Sequence, residues 1–152
     1  MPSIHPVPVV RPMPFVLDAS VTLCWALDDE SHSAASRALD ALASGTACAP
    51  TLWWFEVRNI LVVNERRKRI GEDESAAFLR YIAHLPIMID REPVEGDVLR
   101  LARKHQLTVY AAAYLELALR NQCPLATLDA ALAKAARAEG VPLLGDDPPR
   151  RS

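Results

Sequence analysis

Pro124-Leu125-Ala126-Thr127-Leu128-Asp129 is the stretch that decides the fold. Leu125 to Leu128 is a short apolar run stopped by an acid, which predicts a buried strand. Asp129 starts a helix through Ala138, and Gly140 ends it in the left-handed conformation that glycine tolerates. Phe15-Val16-Leu17 repeats the pattern at the other end of the chain, a short strand stopping at Asp18. Strands of this kind are buried on both faces, so they belong to a parallel sheet covered by helices.

The text between these two strands supports the same reading. Val21 to Leu27 predicts a short helix that runs into the acidic cluster Asp28-Asp29-Glu30, and Ser31 to Ala43 a second helix closed by Gly45. Ala47 to Ala49 is a weak strand ended by Pro50. Thr51 is expected to cap a long helix through Arg69, along which Trp53, Val57, Ile60 and Leu61 recur at helical spacing, with Gly71 ending it. Ser75 to His84 predicts a helix, Ile87 to Ile89 a strand and Val94 to Lys104 a further helix. Thr108 can cap a helix from Val109 to Arg120, and Val141 to Leu144 predicts a last short strand. The expected architecture is a three-layer α/β/α fold on a short parallel sheet of about four or five strands. It would occupy residues 15–145, between a proline-rich arm (1–14) and a tail (146–152).

Composition narrows the class. The chain has 152 residues, 51% of them hydrophobic, 24% charged, and a net charge of −2. One domain with a full core fits this length, and disorder does not fit this composition. The charge gives no overall pull towards nucleic acid, so such a site must be a local patch. Cys24, Cys48 and Cys123 are too few and too scattered for a disulfide framework, and no zinc-ligand spacing occurs. No apolar run is long enough to cross a membrane. Met1 to Phe15 carries five prolines, and its apolar residues never run long enough for a signal peptide. The expected setting is the cytoplasm.

Ligands in open α/β sheets bind beyond the carboxyl ends of the strands, where Asp18 and Asp129 stand. Glu56 joins them as a carboxylate on an otherwise apolar helix face, beside Trp53, Asn59 and Ile60. Such a group is costly there unless it is paired or bound to a cation. Each acid alone has an ordinary reading, Asp129 as a helix cap above all. Gathered together they would repel, and oxygen-only ligands with open water positions suit Mg²⁺ or Mn²⁺.

These residues also carry a family resemblance. Phe15-Val16-Leu17-Asp18-Ala19-Ser20 resembles the opening of the PIN-domain ribonucleases, in particular the VapC-type toxins of bacterial toxin–antitoxin pairs. Trp54-Phe55-Glu56-Val57-Arg58-Asn59-Ile60-Leu61 is similar to their second acidic motif. The segments from Leu107 to Ala118 and from Pro124 to Asp129 resemble the third and fourth. The resemblance runs from about Phe15 to Leu144 with order and spacing kept. It implies an Mg²⁺-dependent endoribonuclease in which Asp18, Glu56 and Asp129 are both metal ligands and catalytic residues. Ser20 and Thr127 would position metal-bound water or phosphate, and Asn59 would hold Glu56 by a hydrogen bond. It further implies an RNA substrate, a cognate antitoxin protein and a homodimer.

The chain departs from the family pattern at one position. An aspartate normally follows the tyrosine matched by Tyr110, and it is normally a principal metal ligand; here Ala111 stands in its place. Either an engineered change that disarms a toxin or natural decay of the site accounts for it, and both leave the chain impaired. Glu116 is no substitute, because it lies on another face of its helix. The alternative function is a non-catalytic protein of the same fold that binds RNA or an antitoxin. A phosphoacceptor receiver domain is excluded, since a single acid follows the first strand and no lysine follows the last.

The remaining features have plainer readings. Arg66-Arg67-Lys68-Arg69 either complements the dipole at a helix end or forms an RNA-phosphate patch. Asp90 is read as a loop acid, and His5, His32, His84 and His105 as surface residues. Trp53, Trp54, Phe55 and Tyr110 are read as core or dimer contacts.

Overall fold

The computed structural model describes residues 14–27 and 32–145. The proline-rich arm up to position 13, His5 within it, the acidic cluster at 28–30 and the tail from 146 lie outside the described residues. Four parallel strands form one sheet: β1 (Phe15–Leu17), β2 (Ala47–Pro50), β3 (Ile87–Asp90) and β4 (Leu125–Ala126), in the order β3-β2-β1-β4. Seven helices accompany them among the described residues: α1 (Ala19–Cys24), α2 (Ser33–Leu42), α3 (Thr51–Arg66), α4 (Glu72–Ala83), α5 (Glu95–His105), α6 (Val109–Asn121) and α7 (Ala130–Ala138).

Every residue of β1 is buried, so its two faces are both covered by helices, as an uninterrupted apolar strand requires. Val16 pairs with Cys48 on one side and Leu125 on the other. The chain leaves β1 towards β2 and β3 but reaches β4 on the opposite flank. The sheet order therefore reverses between β1 and β4, and a crevice opens at the carboxyl ends of these two strands. The two acids that follow them are brought to that crevice by topology alone.

Several local expectations change in the structure. Pro50, not Thr51, is the N-cap of α3; Thr51 instead donates its hydroxyl to the Asp90 carbonyl at 3.3 Å. Gly71 opens α4 instead of closing α3, with Glu74 accepting from its N–H at 3.3 Å. This explains why α4 begins three residues before Ser75: Glu72, Asp73 and Glu74 occupy its first turn, where acids complement the dipole. Helix α1 begins at Ala19, with Asp18 at its N-cap. The stretch from Val141 to Leu144 forms one bridge, Leu143 to Leu125, and no strand. The expected caps Thr108 and Asp129 are present, accepting from Ala111 N at 3.0 Å and Leu132 N at 3.1 Å. Gly140 has φ 76°, the left-handed residue that ends α7.

Candidate functional site

Strand β4 stops at Ala126, two residues short of the apolar run that predicts it, because Thr127 turns into the crevice. Its hydroxyl donates to Asp18 Oδ2 at 2.6 Å and accepts from Asp129 N at 3.0 Å. Ser20 mirrors it, donating to Asp18 Oδ2 at 2.9 Å and accepting from Leu128 N at 3.0 Å. Two hydroxyls thus tie the Asp18 carboxylate to the backbone of the β4–α7 loop. Asp18 itself is 6% exposed. Burial raises its pKa, the Thr127 and Ser20 hydrogen bonds oppose the rise, and the Asp129 charge adds to it.

Glu56 reaches the same crevice from α3. Its carboxylate accepts from the Tyr114 hydroxyl at 2.8 Å. Burial raises its pKa, the Tyr114 hydrogen bond opposes this, and the charges of Asp18 and Asp129 push it further up. Tyr114 is buried within α6. Its own pKa is driven well above the ordinary range by burial and by Asp18 and Glu56, and its hydroxyl also meets the Ala19 backbone. The phenol therefore stays protonated and is a fixed donor to Glu56. Sequence reasoning assigned Tyr114 no role; a tyrosine inside the fully buried run Ala112–Ala118 was the signal, since a buried phenol needs a partner.

Asn59 does not hold Glu56. It is exposed on α3, and Tyr114 occupies the position expected of it. Asp129 stands at the crevice within electrostatic range of both other acids, while its Oδ1 caps α7. Ala111 lies one turn before Tyr114 on α6, and residues three apart share a helix face. Position 111 therefore lies on the side of α6 that faces Glu56.

The donor set is oxygen only, which matches hard divalent cations. Two of its carboxylates are destabilised in their charged form by burial and by their neighbours' charge, a cost that a cation removes. Among the described residues, however, no group of three or more His, Cys, Asp or Glu is disposed to hold a metal ion. The set suits Mg²⁺ in chemistry.

Other expected features separate from the crevice. Arg66, Arg67, Lys68 and Arg69 are all exposed; α3 ends at Arg66, short of the expected Arg69, ten residues and about 15 Å of helical rise from Glu56, and the other three follow the helix. Trp53 is core, donating Nε1–H to the Thr22 hydroxyl at 3.0 Å. Trp54 and Phe55 are 46% and 63% exposed. Their rings meet edge to face, with Arg58 stacked 3.8 Å over Trp54. Trp54 sits roughly 160° around the helix from Glu56. Asp90 is no free loop acid: it ends β3 and takes a bidentate pair from Arg120 at 2.6 and 3.1 Å. Arg120 also holds the buried Glu116 at 2.8 Å. His105 is half-buried and lies 3.4 Å from Glu139, whereas His32 and His84 are exposed.

A parallel four-stranded sheet with one acid after β1, another beyond its neighbour β4 and a third on the helix that follows β2 fits the PIN fold. The PIN domain model matches residues 15–138, and the chain belongs to the PIN-domain family, in its VapC branch. It is 32% identical over 126 residues to Ribonuclease VapC3 of Pyrobaculum aerophilum, covering 80% of this chain and 94% of that one. Among solved structures, the PAE2754 protein of Pyrobaculum aerophilum superposes with a TM-score of 0.64 at 21% identity, over 81% of this chain and 86% of that one. Mycobacterium tuberculosis VapC20, a sarcin-ricin-loop-cleaving toxin, matches with a TM-score of 0.51 at 11% identity, over 80% of this chain and 94% of that one. These two structures support the fold. No helix among the described residues is long and apolar enough to cross a membrane.

Proposed function

We propose that this chain is a VapC-type endoribonuclease toxin whose metal site is weakened by alanine at position 111. The observation that carries the reading is the convergence of Asp18 and of Glu56, which Tyr114 holds, in a crevice that penalises both negative charges. When bound, Mg²⁺ would supply an activated water and neutralise charge developing on the phosphodiester. Asp18, Glu56 and Asp129 would hold it. Thr127 and Ser20 fix the Asp18 carboxylate, and Tyr114 fixes Glu56, so the ligands are set before any cation arrives. RNA, a cognate antitoxin and a second copy of the chain are the partners this reading carries, in a cytoplasmic setting, with Arg66 to Arg69 as a phosphate contact remote from the cut.

The test restores the acid. Ala111→Asp should cleave RNA in Mg²⁺ at least tenfold faster than the parent, and chelation should abolish the gain. Equal rates for the two forms would remove position 111 from the site. A second reading is favoured by the absence, among the described residues, of a group of three acids disposed to hold a metal ion: a non-catalytic protein that holds RNA or an antitoxin. It is the correct one if Ala111→Asp binds RNA without cutting it.

A further inference from the structure

A cavity of about 460 Å³ opens between the end of α5 and the side of α7. Lys104, His105 and Gln106 line one wall and Lys134 the other, with Ala131 and Ala138 too small to fill the space between. Ala131 stands two residues after Asp129, the N-cap of α7, and Gln106 two residues before Thr108, the N-cap of α6. Asp129 and position 111 bring the first turns of both helices to the crevice, so the groove starts beside it. Lys134 is five residues beyond Asp129, about 7.5 Å of helical rise.

The groove carries more positive charge than its neighbours cancel. Lys104 donates to Glu139 at 2.8 Å, and the same carboxylate stands 3.4 Å from His105 Nε2 and 3.7 Å from Arg100. One acid is thus shared among three basic groups. Lys134 is exposed and, among the described residues, has no ion-pair partner. Basic residues at the end of α5 complement its dipole, but Lys134 lies in the middle of α7, where no dipole calls for a cation. His105 adds an independent sign of a ligand. Its Nε2 is buried and has no hydrogen-bond partner among the described residues, a state that costs free energy until a polar atom meets it.

We propose that this groove is a phosphate subsite for the RNA strand that the crevice receives, with Lys134 as its principal cation and His105 and Lys104 beside it. The inference rests on the nuclease reading for its occupant. Asp18, Glu56 and Asp129 make the crevice repel a polyanion, and the cluster from Arg66 to Arg69 begins about 15 Å of helical rise from Glu56. A cation a turn and a half along α7 from Asp129 offsets that repulsion next to the reacting phosphodiester. Each phosphate it neutralises also releases bound counterions, which favours binding. A lysine contact of this kind reads no base, so the subsite holds the strand and sets its position over the acids.

The experiment is binding of a fluorescent single-stranded RNA oligonucleotide, read by anisotropy in EDTA so that no strand is cut, over a series of salt concentrations. Lys134→Gln should weaken binding about threefold to tenfold at low salt. It should also reduce the slope of log affinity against log salt by about 0.7, the value for one single-strand phosphate. Lys134→Arg, which keeps the charge, should bind like the parent. Arg80→Gln on α4, an equal loss of charge outside the groove, should change neither quantity. Parent affinity and slope in Lys134→Gln would overturn the proposal, as would an equal effect of Arg80→Gln or a parent that binds no RNA. Inorganic phosphate supplies the other arm: if it shifts the His105 ring signals and RNA does not, the groove takes a free anion and the proposal fails. Should Lys134→Gln melt earlier than the parent, the shift of those ring signals by RNA decides alone. Cleavage is never read here. A silent Ala111→Asp would refute the nuclease reading and leave these outcomes standing, whereas unchanged binding by Lys134→Gln beside an active Ala111→Asp would refute the subsite alone.

Discussion

Tyr114 and Glu56 stand 58 positions apart in the chain, and the Tyr114 hydroxyl donates to Glu56 Oε1 at 2.8 Å. This bond joins the buried run of α6 to the acid on α3, and it fixes the Glu56 carboxylate. Removing the hydroxyl alone, by Tyr114→Phe, keeps the ring in the core. The loss should be about 1–3 kcal/mol, typical of a hydrogen bond to a charged group. The Glu56 pKa should rise further, because the bond now opposes the rise. Carbon-13 titration of the Glu56 carboxyl, with denaturant unfolding of both forms, reads the two effects. An unmoved titration would detach Tyr114 from the site.

The relay through Thr127 gives a second expectation. Thr127→Val removes both the bond to Asp18 and the acceptor for Asp129 N, while keeping the side-chain shape. Asp18 should then titrate higher, since the Thr127 bond is the largest influence holding its pKa down. Stability should fall by about 1–3 kcal/mol as a buried acceptor and a backbone donor lose a partner. Chemical denaturation at pH 7 checks the fall, and a variant as stable as the parent would mean the loop is held by other contacts.

The raised pKa values of Asp18 and Glu56 set the sign of a pH effect in the metal-free protein. A carboxyl whose folded pKa exceeds its unfolded value binds its proton more tightly when folded. Its contribution is full below the unfolded pKa and is lost as pH rises through the folded one. Asp90 and Glu139, both lowered by cationic partners, act in the opposite sense. The two senses separate by difference: from about pH 4 upward, Asp18→Asn should become progressively more stable relative to the parent. Melting temperatures of the two proteins across this range make the comparison. A parent that gains on Asp18→Asn as pH rises would reverse the sign and refute it.

Arg120 holds two carboxylates, Asp90 at the end of β3 and Glu116 on its own helix. Glu116 is 2% exposed, so Arg120→Ala leaves a buried carboxylate without its cation, a change that costs about 3–5 kcal/mol. Val94 N would remain as a donor to Glu116, and a double variant, Arg120→Ala with Glu116→Gln, should recover part of the loss. Unfolding midpoints of the single and double variants test the coupling. Equal midpoints would show that Glu116 does not depend on Arg120.

The sequence made β1, β4 and the acids that follow them legible, because an uninterrupted apolar run closed by a carboxylate has few other readings. The caps at Thr108 and Asp129 were legible for the same local reason. What stayed hidden was long-range. Thr127 looked like a strand residue because nothing nearby shows that Asp18 waits across the crevice, and Asn59 looked like the partner of Glu56 because it is three residues away. Tyr114 is fifty-eight residues away and takes that role. Asp90 and Arg120 pair across thirty residues, beyond any periodicity argument. Glycine at 71 misled because it suits either end of a helix, and only the acids that follow it show which.

The central claim is that Asp18, Glu56 and Asp129 form a cation site lacking one carboxylate at position 111. The most direct measurement is thermal melting of the parent and of Ala111→Asp, each with and without Mg²⁺. Without metal the aspartate form should be no more stable than the parent, since a further negative charge joins the cluster. With Mg²⁺ the order should reverse, because a ligand that binds only the folded state stabilises it by about 2.7 kcal/mol at one hundred times its dissociation constant. A Mg²⁺ shift of equal size in both forms would contradict the account, and so would no shift in either.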